Sequence, residues 1–144
     1  MIKTETAYRR ALEKMKDHKA YIANEKLRYQ SIGMSKEQTD MALRPLLSFK
    51  EELAEEIYDY EMIKKGSFGP LESITDLGKN LIAYRIFMNI SQAELAKRLG
   101  VSEAQVSRDE RNEYSGATTE KIQSIMNALG LRTTIQIETS VMQA

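Results

Sequence analysis

Apolar residues recur at helical intervals through the first 65 positions. Tyr8, Leu12, Met15 and Ile22 are separated by multiples of the helical spacing, with charged residues between them. Ser35-Lys36-Glu37-Gln38 has the form of a capping box and predicts a second helix starting there. Pro45 interrupts that helix and suits the first position of a new segment. Leu46, Phe49, Leu53, Ile57 and Tyr60 then form one apolar stripe. The pattern over residues 1–65 predicts two long helices, the second kinked, folded as an antiparallel hairpin.

Lys64-Lys65-Gly66-Ser67-Phe68-Gly69-Pro70 breaks the periodicity with two glycines, a serine and a proline. Residues 66–72 are therefore expected to link two units. After them come four or five short helices. The first runs from Ser73 to Met88, with Leu77, Leu81, Tyr84 and Met88 on one side. Ser91-Gln92-Ala93-Glu94 and Ser102-Glu103-Ala104-Gln105 are two further capping boxes, eleven residues apart. Thr118 or Thr119 starts another helix, and Gly130 ends it as a left-handed cap. The tail changes period. Leu131, Thr133, Ile135, Ile137, Thr139 and Val141 alternate with Arg132, Thr134, Gln136 and Glu138, which predicts a strand over residues 131–144. A lone strand leaves its backbone groups unpaired. The chain has no second convincing strand, so pairing with the same strand of another copy, a homodimer, is expected.

The two capped runs joined by Gly100-Val101-Ser102 form a helix-turn-helix. Leu95, Ala96 and Leu99 bury the first helix, and Ala96 must be small where the second crosses it. Gly100 takes the left-handed turn without a Cβ penalty. Val101 and Val106 are expected to pin the second helix to the core. The residues between Ser102 and Arg111 that face away from these valines are then available to a DNA major groove.

At this point the sequence resembles a known family. Residues 73–130 look like the Xre-type domain, the five-helix fold of lambdoid phage repressors. The pattern is Gln92-x-x-Leu95-Ala96-x-x-Leu99-Gly100-Val101-Ser102, then Val106-Ser107-Arg108-x-Glu110, then Ile125-x-x-Ala128-Leu129-Gly130. The resemblance implies an Arg85–Glu110 salt bridge between the first helix and the end of the recognition helix. It implies that Gln92 bonds a DNA phosphate and that Glu103, Ala104 and Arg108 read bases, flanked by Gln105 and Ser107. Side-chain chemistry adds that Arg108 suits guanine, Gln105 adenine, Glu103 cytosine and Ala104 a thymine methyl. Arg111, Asn112 and Tyr114 are expected near the backbone, and Ser102 is counted among the DNA-binding residues. Position 109 departs from the family, which places an apolar residue there. Asp109 is expected to turn to solvent and pair with a neighbouring arginine.

A weaker resemblance, carried by Tyr8-x-x-Ala11-Leu12 and by Pro45-Leu46 followed by Ile57-x-x-Tyr60-Glu61, links the N-terminal half to longer antitoxins of the HigA type. Those proteins neutralise a ribonuclease toxin and repress their own operon. The expected fold is thus all-α: an N-terminal helical hairpin, a five-helix lambda-repressor-like domain and a short C-terminal β-strand. The expected function is a double-stranded DNA-binding repressor of a palindromic operator, acting as the antitoxin of a toxin–antitoxin module. The alternative is a stand-alone regulator of a phage or mobile element, with the hairpin serving dimerisation or ligand sensing.

Composition sets limits on this picture. The 144 residues carry 21 basic and 21 acidic side chains, so DNA affinity must come from a local patch. Glu51, Glu52, Glu55, Glu56, Asp59 and Glu61 cluster in the hairpin, as either a solvated face or a surface for a basic toxin. With no cysteine and His18 as the one histidine, thiolate or histidine-based catalysis and multi-histidine metal sites are excluded. Gly66-Ser67-Phe68-Gly69-Pro70 lacks the lysine of a phosphate loop. The eight methionines suit core filling. No cofactor, metal or enzymatic activity is expected. The longest apolar runs are too short for a membrane span. A charged N-terminus without a signal core points to a cytoplasmic location.

Overall fold

The computed structural model describes residues 1–139. Among them are six α-helices: α1 (Glu5–Ser31), α2 (Lys36–Lys64), α3 (Leu77–Phe87), α4 (Gln92–Leu99), α5 (Glu103–Arg111) and α6 (Thr119–Ala128). Helices α1 and α2 form the antiparallel hairpin. Thr4 Oγ1 caps α1 by accepting from the Ala7 amide at 3.1 Å. Gly33 turns the chain at φ +80°, and Ser35 and Gln38 complete their capping box. The seam holds Ala11, Leu43 and Leu53, a Tyr8–Tyr60 stack at 4.7 Å and His18 edge-on to Phe49 at 4.8 Å. His18 Nε2–H donates to the Leu46 carbonyl at 2.7 Å. Leu12, expected in the seam, is 42% exposed, and Ala11 takes its place.

Pro45 does not divide α2, which runs through it. A proline inside a helix removes one hydrogen bond and costs about 3 kcal/mol. Buried side chains before it (Thr39, Leu43) and after it (Leu53, Tyr60) hold both halves against the rest of the molecule, and their burial outweighs that cost.

Residues 66–72 fold back over α3. Phe68 packs edge-on against Tyr84 at 4.9 Å and Phe87 at 6.0 Å. One core cluster spans both sides of this segment, from Ile2, Leu53 and Tyr60 to Ile82, Ile86, Leu95, Val106, Ile125 and Leu129. Residues 74–76 form a 3-10 turn capped by Ser73, so the helix expected from Ser73 starts as α only at Leu77. Gly78 is buried, and a Cβ there would run into the Glu113 carbonyl. The chain passes this point with Glu113 and Tyr114 both in left-handed conformations.

Two expectations for the C-terminal part need correction. The described residues after the linker hold four α-helices and a 3-10 turn, so the fifth α-helix is not seen. The predicted β-strand is not seen either: residues 131–139 form neither helix nor strand. A strand exists through bonds to a neighbour, and no other strand occurs among the described residues to supply them. Ile135 and Ile137 are left 66% and 89% exposed. Val141 lies outside the described residues. Among the described residues, no helix is long and apolar enough to cross a membrane.

Candidate nucleic-acid interface

Helices α4 and α5 begin after the predicted serines, but of each expected capping box only the serine half forms. Ser91 Oγ accepts from the Glu94 amide at 3.0 Å, and Ser102 Oγ accepts from the Gln105 amide at 3.1 Å. Gly100 sits at φ +69°, which lets the Val101 amide bond the Ala96 carbonyl at 3.0 Å and closes the turn. Leu95 and Ala96 are buried, as is Val106 on α5. Val101 is 43% exposed and does not pin α5; its fixed point is the backbone bond.

One face of α5 is therefore committed inward through Val106 and Glu110. The other presents Glu103, Ala104, Arg108 and Arg111, with Ser102 and Asn112 at its ends, all exposed, and Ser107 and Gln105 half-buried. Arg108 Nη2 donates to Gln105 Oε1 at 2.8 Å, and Gln105 Nε2 donates to Asp109 Oδ1 at 2.9 Å. Asp109 Oδ2 pairs with Lys121 of α6 at 2.7 Å. Asp109 thus ties α5 to α6 and does not pair with an arginine. The half-buried carboxylate finds its cation on the neighbouring helix, a contact that no short-range spacing reveals.

The Arg85–Glu110 pair is present and deeply buried, at 2% and 0% exposure. The carboxylate takes Arg85 Nε on one oxygen. Its other oxygen takes Arg85 Nη2 at 2.7 Å and Gln92 Nε2 at 2.8 Å. The side chain of Gln92 is therefore turned inward rather than toward a phosphate. A buried carboxylate needs donors on both oxygens, and Gln92 supplies one. Of the three remaining guanidinium hydrogens, two go to the Ile90 carbonyl at 2.9 Å and the Lys3 carbonyl at 2.8 Å. Lys3 Nζ donates to the Glu110 backbone carbonyl at 2.7 Å. The N-terminal arm is thereby locked to both ends of the ion pair. Sequence reasoning missed Lys3, because its partners lie 82 and 107 positions away.

Two tyrosines border this centre. Burial, aided by the Glu5 charge, pushes the Tyr60 hydroxyl up to about 12. Burial, aided by Glu110, pushes that of Tyr114 higher still.

The helix-turn-helix family model matches residues 81–136, the stretch that holds most of α3 and all of α4, α5 and α6. No curated protein and no solved structure matches the chain.

Proposed function

We propose that the chain, whose residues 81–136 match the helix-turn-helix family model, is a DNA-binding regulator of transcription, a sequence-specific repressor that binds a palindromic operator as a homodimer. The observation that carries this reading is the division of α5. Its inner face is fixed by Val106 and the fully buried Glu110, and its outer face is polar and exposed. In the major groove, Arg108 grips guanine and Gln105 reads adenine after exchanging its intramolecular bonds for base contacts. Glu103 accepts from cytosine and Ala104 touches a thymine methyl. Ser102, Ser107, Arg111 and Asn112 lie toward the backbone. With its side chain held by Glu110, Gln92 reaches a phosphate through its backbone amide at the start of α4. Two copies join through the tail, whose exposed Ile135 and Ile137 and alternating pattern suit strand pairing. Their half-sites lie one helical turn apart, roughly 34 Å.

One observation favours an antitoxin role within this reading. Helix α2 carries eight acidic and four basic residues, and Glu51, Glu52, Glu55, Glu56 and Asp59 are exposed on it. A small basic toxin is the partner such a face fits. Binding to the DNA upstream of the protein's own gene, followed by fluorescence anisotropy at two salt concentrations, tests the central reading. Tight binding with a steep salt dependence is expected. Equal affinity for that DNA and for unrelated duplex would overturn autorepression. Co-expression with the neighbouring gene tests the toxin: failure of a basic neighbour to co-purify removes that role.

A further inference from the structure

A cleft of about 740 Å³ separates the start of the hairpin from the start of the recognition helix. Thr6 of α1 and Lys64 of α2 line one side, and Asn89, Ser91 and Glu103 line the other. All five are exposed. Lys64 Nζ donates to Asn89 Oδ1 across the rim.

In a docked helix-turn-helix the second helix enters the major groove while the first crosses the backbone. The phosphates beside the groove then pass the start of α4, which is the mouth of this cleft. We propose that the hairpin forms half of a phosphate-binding surface, with Lys64 and Thr6 holding the DNA backbone that flanks the half-site. The proposal rests on the DNA-binding reading and extends it to residues outside the matched segment 81–136.

Three observations support it. Beside the Glu103 carboxylate, the rim offers an ammonium, hydroxyls and an amide, the side chains that contact phosphate and sugar. Glu5, the hairpin carboxylate that lines the cleft, is already engaged, by Tyr60 Oη–H at 3.2 Å and by Arg9 at 3.4 Å. Arg10, one turn beyond Thr6 on the same face, is exposed, and α1 as a whole carries seven basic residues against four acidic. A chain of zero net charge must gather its positive potential locally. Here α1 and Lys64 supply cations that the outer face of α5, with Glu103 beside Arg108 and Arg111, does not supply alone.

Phosphate contacts are blind to sequence, so the test uses a mixed-sequence duplex of about 30 base pairs, with affinity measured between about 50 and 200 mM salt. Lys64→Gln is expected to lower the slope of log affinity against log salt by about 0.9, the loss of one phosphate contact. Lys64→Arg keeps the slope. Asn89→Gly keeps it too, since it breaks the Lys64–Asn89 bond and leaves the charge; glycine suits the φ of +57° at this position. Thr6→Val weakens binding about 2- to 10-fold with no change of slope. An unchanged slope in Lys64→Gln overturns the proposal. So does an equal loss in Asn89→Gly, which would make Lys64 a structural tie only. Failure of the parent protein to bind the duplex at low salt refutes the DNA-binding reading itself, and it is seen before any variant is compared.

Discussion

Replacing Glu110 by alanine tests how the recognition helix is held in place. The carboxylate is fully buried and receives hydrogen bonds from two nitrogens of Arg85 and one of Gln92. Its removal leaves a guanidinium at 2% exposure with no counter-charge, bonded to the carbonyls of Ile90 and Lys3. It also leaves the Gln92 amide without its acceptor. Removing one partner of a buried ion pair costs about 3–5 kcal/mol. Unfolding entropy of about 2.1 cal/mol/K per residue gives about 0.3 kcal/mol/K for the 144 residues. The melting temperature should fall by about 10–17 °C. Circular dichroism or calorimetric melts of Glu110→Ala, Arg85→Met and the double variant measure it. The two single losses are expected to be strongly non-additive, with the double variant close to the worse single, because the second substitution removes an orphaned charge. A Glu110→Ala melt within about 3 °C of the parent, or additive losses, would refute the claim that this pair fastens α5 to α3.

Three other predictions address separate parts of the molecule. Arg108→Ala should cost about 1–3 kcal/mol of operator affinity and relax selection at one base position; an unchanged preference in selected-site sequencing would remove Arg108 from base reading. Gly78→Ala should destabilise by about 3 kcal/mol, since its Cβ meets the Glu113 carbonyl, whereas Gly33→Ala, with open space but φ +80°, should cost about 1 kcal/mol; equal denaturation midpoints for the two would contradict the close approach at Gly78. The Tyr60 pKa is raised in the folded state from 10.0 to about 12, so its contribution is complete below pH 10 and is lost as pH rises toward 12. Tyr60→Phe should therefore flatten the alkaline fall in stability, and an identical pH profile would show that this hydroxyl does not carry it.

The helix-turn-helix was legible in the sequence because its determinants are local. Ser91 and Ser102 bond amides three residues on, and Gly100 is needed where φ is positive. The Arg85–Glu110 pair was legible only through family resemblance, since 25 residues separate the two. Local pattern failed where tertiary burial competes with it. Pro45 signals a break, yet α2 continues because buried residues on both sides hold it. The alternation after Leu131 signals a strand, but pattern cannot provide the neighbouring backbone a strand requires.

By itself, the chain determined where α2, α4, α5 and α6 start and which face of α5 stays polar, because caps and helical periodicity act over three or four residues. Only the folded molecule decided which charges meet. It turned Gln92 inward to satisfy a buried carboxylate, gave Asp109 to Lys121 and fastened Lys3 to the Arg85–Glu110 pair. Burial makes each of those partnerships necessary, since an unpaired charge or amide in the core costs several kcal/mol. Burial depends on where distant segments pack, and that information resides in no single stretch of the sequence.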